Sequence, residues 1–329
     1  MCMGLNPYGE KMPKRTRPRR GSMQYWPRRR AKSIITRTNV WPHSKDAKPL
    51  GFAGWKAGMT HIQYVDNNSK SPTFGKTISR AVTVLDAPSL YVAAIRFYST
   101  SNSSAKVIGE KWAKVPKDVI LKIKMNSKSE KPSNFDDVRL VVATQPGKSG
   151  MRQTKSDTFE IGVGGDAKQK AEYAESVLGK EISAKDAFKP GDFIDASAIT
   201  RGFGFMGPVK RFGIRIQTRK DKQMHRHVGS IGSTVPRHVD YRVPAAGQFG
   251  FFTRTEFTKR IVMIDDDVNK VIPAGGFVGY GLPKESFIMI EGSVPGPVKR
   301  LVRIRRAQRT TKHTPVEIKH ISLQSKQGT

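Results

Sequence analysis

The chain has 329 residues, of which 59 are Lys or Arg and 27 are Asp or Glu, so its formal net charge is +32 at pH 7. A charge this one-sided repels itself in a folded protein unless a polyanion neutralises it, which disfavours a compact enzyme of balanced charge. The single cysteine, Cys2, excludes an intramolecular disulfide and a cysteine-based zinc cluster.

Apolar runs are short throughout the chain. The N-terminal segment lacks the apolar stretch of a signal peptide, and the longest apolar run, residues 90–95, is far below the ~20 residues of a membrane-spanning helix. We therefore expect neither secretion nor membrane insertion, and we expect a cytosolic redox compartment. The length predicts one large or two medium domains.

The first basic zone covers residues 11–45, with twelve Lys or Arg and no Asp or Glu. Pro13, Pro18, Pro27 and Pro42 interrupt any helix, and no apolar periodicity is present. This pattern predicts an extended arm that has no core of its own.

Strand-like segments follow, rich in β-branched and aromatic residues and bounded by Gly, Pro, Asn or Asp. They predict strands over residues 51–65, 78–86, 90–98, 119–125, 138–144, 192–199, 257–265, 287–291 and 299–304. The clearest helix is predicted over residues 166–178, with Asp166 as N-cap and Gly179 at its end. Many short strands with frequent Gly favour a mainly β fold, a barrel or a sandwich.

Charge divides the rest of the chain. Residues 157–195 hold nine acids against five lysines, and we expect this segment to face away from any polyanion. The second basic zone, residues 201–254, has eleven Lys or Arg against two Asp and is too long for an ordinary loop. The third, residues 299–319, has eight Lys or Arg against one Glu.

One glycine motif could indicate a dinucleotide site. Gly202, Gly204 and Gly207 match G-x-G-x-x-G after a predicted strand. That fingerprint requires a helix after the third Gly and an acid about 20 residues further on, whereas Pro208 and a basic, β-like stretch follow here. A glycine-rich turn is the favoured interpretation, and a nucleotide-dependent metabolic enzyme is the alternative.

Two clusters could be imagined as metal sites. His225, His227 and His238 with Asp240 lie in a basic segment that would repel a dication, and Asp265–Asp267 lack the further oxygen ligands and loop Gly of a hard-cation site. We predict no metal, no cofactor and no catalytic residues, because no nucleophile elbow or catalytic triad signature is visible.

The three basic zones predict nucleic-acid binding. Arg and Lys neutralise phosphates, Arg stacks on exposed bases, and Gly and Pro let an extended backbone thread between RNA helices. RNA is favoured over DNA because no helix-turn-helix, zinc finger or basic zipper is present. Aromatic residues are interleaved with the charges, namely Tyr25, Trp26, Trp41, Phe203, Phe205, Phe212, Tyr241, Phe249, Phe251 and Phe252.

Seven long sequence blocks stand out along the chain. They are GFAGWKAGMTHI (51–62), TRGFGFMGPVKRFG (200–213), GSIGSTVPRHV (229–239), PAAGQFGFFTRTEFTKRI (244–261), GGFVGYG (275–281), GSVPGPVKRLVRIR (292–305) and the arm PKRTRPRRGSMQYWPRRRAK (13–32). Together they resemble the universal ribosomal large-subunit protein three family, archaeal type. The blocks are long and spread over almost the whole chain, and residues 102–189 match least.

The resemblance implies a translation-protein-like β-barrel with an inserted α+β subdomain and long basic extensions. The implied boundaries are a basic N-terminal arm (1–48), barrel segments (49–100, 190–207 and 256–308), the inserted subdomain (101–189), an internal finger (208–255) and a C-terminal tail (309–329). Relatives usually carry a Trp at the finger tip where this chain has Thr234, so we expect Arg237 and Arg242 to take more of the positioning.

The implied function is that of a non-enzymatic, structural constituent of the large ribosomal subunit in the cytoplasm. It would bind large-subunit ribosomal RNA and neighbouring ribosomal proteins, act in early assembly and shape the surroundings of the peptidyl transferase centre. No membrane, small-molecule substrate or homo-oligomer is expected. The predicted RNA-binding residues are Lys14, Arg15, Arg17, Arg19, Arg20, Arg28, Arg29, Arg30, Lys32, Lys210, Arg211, Arg215, Arg219, Lys220, Arg226, His227, Arg237, Arg242, Gln248, Arg254, Lys299 and Arg300.

Overall fold

The computed structural model describes residues 21–101, 104–116, 119–122, 132, 134–309 and 313–325. These residues form two compact units, which are considered separately. Residues 21–30 with 202–252 form one, called here the basic unit, and residues 31–201 with the described residues from 253 onward form the larger unit. Within the described ranges, no helix is both long and apolar enough to cross a membrane.

The described residues are mainly β. The strands are β1 (Gly51–Val65), β2 (Thr77–Asp86), β3 (Leu90–Ser101), β4 (Ser104–Trp112), β5 (Ile120–Leu121), β6 (Asp137–Ala143), β7 (Lys155–Ser156), β8 (Thr158–Gly162), β9 (Glu181–Ile182), β10 (Phe193–Ile199), β11 (Gly202–Met206), β12 (Gly247–Gly250), β13 (Thr253–Asp265), β14 (Phe287–Glu291), β15 (Leu301–Arg306) and β16 (Glu317–Ile321). The helices are α1 (Ala167–Val177), α2 (Ala184–Ala187) and α3 (Pro208–Phe212), with short 3-10 segments at Met23–Tyr25, Pro146–Lys148, Arg219–Met224 and Val268–Lys270.

The main sheet of the larger unit has seven strands in the order β15-β10-β13-β14-β2-β1-β16. Strand β15 also pairs with β1, so β1, β2, β14, β13, β10 and β15 each have two hydrogen-bonded neighbours within this set of six. All these pairings are antiparallel, as in the register of Phe52 with Ile304. Large apolar side chains such as Phe52, Trp55, Leu85 and Phe287 are almost fully buried in the core, which apolar burial stabilises.

A second antiparallel sheet, in the order β4-β3-β6-β8, lies within the larger unit, and β9 pairs with its strand β3. Helix α1 begins after Asp166, which forms a capping box with Gln169, and the helix buries Ala171 and Ala174. Because β3 pairs with β4 and β6, this sheet begins about ten residues before the boundary at residue 100 that the sequence predicts.

Most predicted elements are found close to their predicted positions. The strands predicted at 51–65, 78–86, 90–98, 138–144, 192–199, 257–265, 287–291 and 299–304, and the helix at 166–178, are confirmed by β1, β2, β3, β6, β10, β13, β14, β15 and α1. In the predicted strand 119–125, only Ile120–Leu121 is a described strand, and residues 123–125 lie outside the described ranges. The sequence pattern does not predict the described strands β4, β7, β8, β9, β11, β12 and β16.

The predicted arm, residues 1–48, differs from the structure at its C-terminal end. Ile35 and Trp41 pack against the core of the larger unit, and Thr36 is buried. The sequence pattern missed this because the segment has no apolar periodicity of its own and the covering residues come from distant strands. The boundary predicted at residue 207 also differs, since β11 pairs with β12 in the basic unit.

Candidate nucleic-acid interface

The basic unit concentrates positive charge. Its residues 21–30 and 202–252 include twelve Lys or Arg, against Asp221 and Asp240 alone. Its frame is the two-stranded antiparallel sheet of β11 and β12, in which Gly204 pairs with Phe249 and Phe205 with Gln248. Helix α3 follows the first strand and ends at Gly213, whose φ of 65° is the left-handed conformation that glycine adopts most readily.

An aromatic cluster joins the unit's separate segments. Trp26 stacks on Phe212 with ring centroids 5.9 Å apart and meets Tyr241 edge-on at 6.0 Å. Gly21 lies against the same phenyl ring, because a Cβ at that position would be 2.5 Å from Phe212 Cδ1. Residues 21–26 are thus held to α3 by ring packing, which contributes about 0.5–1.5 kcal/mol per aromatic pair beyond its buried area.

Two of the predicted RNA-binding arginines hold the unit together. Arg28 Nη1 donates to the carbonyl oxygen of Arg211 at 3.1 Å, and its guanidinium lies 4.4 Å from the centre of the Phe212 ring. Arg211 donates from Nε to the Gln248 carbonyl at 3.0 Å and from Nη1 to the Ala245 carbonyl at 2.8 Å. Burial lowers the pKa of Arg211. Both guanidinium groups bind backbone carbonyls, so their role here is to position the unit.

The other predicted basic residues of the unit are exposed, namely Arg29, Arg30, Lys210, Arg215, Arg219, Lys220, Arg226, His227, Arg237 and Arg242. Three of them lie over aromatic rings: Arg30 is 5.4 Å from the Phe251 centroid, Lys210 is 4.9 Å from Phe203, and Arg242 is 5.5 Å from Tyr241. Gln248 is half-buried and donates from Nε2 to the Gly250 carbonyl at 3.1 Å. An exposed set of cations beside aromatic rings can bind phosphates and stack on bases.

Comparison with known proteins identifies the family. The family described as "Ribosomal protein L3" matches residues 12–135 and 116–328 of this chain. The chain is similar to "Large ribosomal subunit protein uL3" of Methanopyrus kandleri, at 44% identity over 95% of this chain and 92% of the relative. Relatives of the same name from Methanocorpusculum labreanum (41%) and Archaeoglobus fulgidus (40%) cover 95% of this chain, with 99% and 98% of their own lengths matched. The chain belongs to the ribosomal protein L3 family.

The match to this family and to archaeal relatives confirms the resemblance that was inferred from the sequence blocks. Proteins of the ribosomal protein L3 family are structural components and not enzymes, so the nucleotide-dependent enzyme is excluded as the function of this chain. The local geometry agrees. A helix, α3, does follow Gly207, contrary to the predicted β-like stretch, but it has five residues and begins with Pro208, and its strand β11 pairs antiparallel with β12.

The remaining predicted residues of this L3-family chain belong to the larger unit or lie outside the described ranges. Lys32 and Lys299 are exposed, while Arg254 and Arg300 are half-buried, and burial lowers the pKa of Arg300. Lys14, Arg15, Arg17, Arg19 and Arg20 lie outside the described residues. In the part of the chain that the structure describes, no group of three or more His, Cys, Asp or Glu side chains is placed to hold a metal ion.

The third basic zone is partly structural. Arg303 is buried, donating from Nη1 to the Thr36 carbonyl and from Nη2 to the Glu160 carbonyl, each at 2.5 Å. Burial lowers its pKa to about 10. Arg305 forms an ion pair with the buried Asp195 at 3.1 Å. The sequence analysis assigned Arg303 and Arg305 to a basic zone, because charge composition alone does not reveal which side chains face inward.

Proposed function

We propose that this L3-family chain is a structural constituent of the large ribosomal subunit, and that it binds large-subunit ribosomal RNA through the basic unit and the N-terminal arm. The single observation that carries this proposal is the charge of the basic unit, twelve Lys or Arg against two Asp, with most of those cations exposed. A polyanion such as RNA neutralises these positive charges and so relieves the repulsion among them. The names of the relatives support the large subunit as the site of action.

The larger unit provides the frame in this proposal. We infer that the six strands β1, β2, β14, β13, β10 and β15 form the translation-protein-like barrel that the family resemblance implies, since each has two partners within the set. Ile199 of β10 pairs with Thr253 of β13. Residues 202–252 therefore begin and end next to two paired positions of the main sheet. That segment corresponds to the proposed finger.

The exposed cations of the basic unit, with Lys32 and Lys299, would bind phosphates. Arg28 and Arg211 would stabilise the conformation of the binding surface through their hydrogen bonds to backbone carbonyls. Early subunit assembly, contact with neighbouring ribosomal proteins and shaping of the peptidyl transferase centre are part of the same proposal. They rest on the family resemblance and on the exposed course of residues 213–246, which contain no strand and only one short 3-10 segment.

Sedimentation of a cell extract tests the proposal. The tagged full-length chain should follow the large subunit through a sucrose gradient, and it should leave that fraction when the RNA is cut by nuclease. A chain that stays at the top of the gradient, or that keeps sedimenting rapidly after complete RNA digestion, would contradict ribosomal RNA binding.

A further inference from the structure

Phe205 is an aromatic side chain that the fold leaves uncovered. It is 78% exposed, although it lies within strand β11, and no aromatic or cationic partner contacts its ring in the part of the chain that the structure describes. We propose that Phe205 stacks on the base of an unpaired nucleotide in large-subunit ribosomal RNA. This inference rests on the proposed function and names one residue and one kind of contact within it.

A bulge in strand β11 separates Phe205 from Phe203, the other phenylalanine of the strand. The register shifts between the Gly202–Gly250 and Gly204–Phe249 pairs, so Phe203 is an extra residue in β11, and Gly204 has a φ of 66°. Phe203 stacks on Phe249 with centroids 5.3 Å apart and lies under the Lys210 ammonium. In a regular strand the two side chains would lie on one face, whereas here only Phe203 is used for internal packing.

The backbone beside Phe205 is open. A Cβ added at Gly204 or at Gly207 would meet no atom within 4 Å, so neither glycine position is covered by another part of the described chain. A planar group can approach the strand on either side of Phe205 along the chain without displacing a side chain. Glycine where another molecule must approach the backbone closely is a recurrent use of this residue in strands.

Charge identifies the occupant as nucleic acid. The exposed Lys210 ammonium lies 4.9 Å from the neighbouring Phe203 ring, and the whole unit carries twelve cations against two acids. A hydrophobic protein partner would be expected to require a wider apolar patch, but Phe203 is already occupied by Phe249 and Lys210. A single exposed ring beside two open glycines, in a unit whose cations outnumber its acids twelve to two, matches a base with its phosphates, because every base presents a face on which an aromatic ring can stack.

The test measures equilibrium binding of the full-length chain to a transcript of its own large-subunit ribosomal RNA. We expect Phe205→Ala to weaken binding roughly five- to 150-fold at fixed salt, and Phe205→Trp to restore it, as expected for stacking. Phe205→Leu, which keeps apolar bulk without a ring, should bind nearly as weakly as the alanine variant. The salt dependence should be the same in all four proteins, because no phosphate contact is removed.

Val278→Ala is the matched control, since Val278 is 55% exposed, carries no ring and lies in the larger unit, outside the proposed binding surface; its binding should equal that of the wild type. Wild-type affinity in Phe205→Ala or in Phe205→Leu would overturn the stacking proposal. Phe205→Ala that binds RNA normally but is depleted from sedimenting subunits would also overturn it and would indicate a protein contact. If the wild type itself binds the transcript without salt dependence, the proposed function fails instead.

Discussion

Asp86 is a buried acid held by neutral donors. Its side chain is fully buried, and Oδ2 accepts hydrogen bonds from the Tyr280 hydroxyl at 2.5 Å and from the Gly150 N–H at 3.1 Å. Oδ1 has no hydrogen-bond partner among the described residues. Burial raises the pKa of this carboxyl from 3.8 to about 6, because the charged form is poorly solvated there.

This pKa predicts a pH-dependent stability that Asp86→Asn should remove. Between pH 4 and pH 6 the folded chain binds the proton more tightly than the unfolded chain, so this group lowers the free energy of unfolding by about 3 kcal/mol as the pH rises. Urea unfolding should show equal stability of the two proteins near pH 4 and a more stable variant at pH 8. The exposed Asp46→Asn serves as control, and parallel stability curves for wild type and Asp86→Asn would contradict the prediction.

At the residue scale, the sequence predicted which side chains carry charge but not which are used internally. Arg28, Arg211 and Arg303 all donate to backbone carbonyls, and for Arg28 and Arg303 those carbonyls belong to segments more than 140 positions away in the chain. Such partners leave no local pattern in the sequence. The exposed cations of the second basic zone stay predicted RNA contacts.

At the scale of elements, β-branched strands were predictable and polar or Gly-rich strands were not. In β1, buried and less buried side chains alternate over residues 59–65, whereas residues 82–86 of β2 form a continuous buried run, and either pattern in a short apolar segment predicts a strand. Strand β11, with the sequence GFGFM, is almost fully exposed and lacks that signal, and its pairing with β12 joins positions more than 40 residues apart.

Strand β8 ends at a glycine that Trp41 requires. A Cβ at Gly162 would lie 2.6 Å from Trp41 Cγ, so Gly162→Ala should force the indole away from the core that it covers. We expect a loss of about 1–3 kcal/mol in the free energy of unfolding, the usual cost of overpacking. Gly147→Ala is the control in the same unit, because nothing lies within 4 Å of its added Cβ. Chemical denaturation measures both, and equal stabilities would show that Trp41 is not packed on β8.

The segment 213–246 is the element that we expect to open first without RNA. It is almost entirely exposed, and the 3-10 segment Arg219–Met224 is its one regular element. Few buried contacts offset an ordering cost of about 1–2 kcal/mol per residue. Limited trypsin digestion of the RNA-free protein should cut within 213–246 before it cuts the strands of the main sheet, and ribosomal RNA should protect these sites. Simultaneous cleavage of both regions would count against this assignment.

At the scale of the whole molecule, the two units differ in how far their charged side chains neutralise one another. The acids of residues 157–195 were expected to face away from a polyanion, and that orientation stays a prediction. Several of them form ion pairs within the larger unit, as Glu160 does with Arg96 at 2.5 Å and Glu181 with Lys148 at 2.6 Å. The basic unit has only two acids with which to neutralise its twelve cations, so its excess charge is available to RNA.

The salt dependence of RNA binding tests the central claim most directly. If the basic unit and the arm together engage roughly 10 phosphates, the logarithm of the affinity for a large-subunit ribosomal RNA transcript should fall with the logarithm of the salt concentration at a slope of about −7 to −9. Removing the exposed charges of Arg215, Arg219 and Lys220 together should reduce the magnitude of that slope by about 2–3. A nearly flat dependence for the wild-type chain would contradict the account.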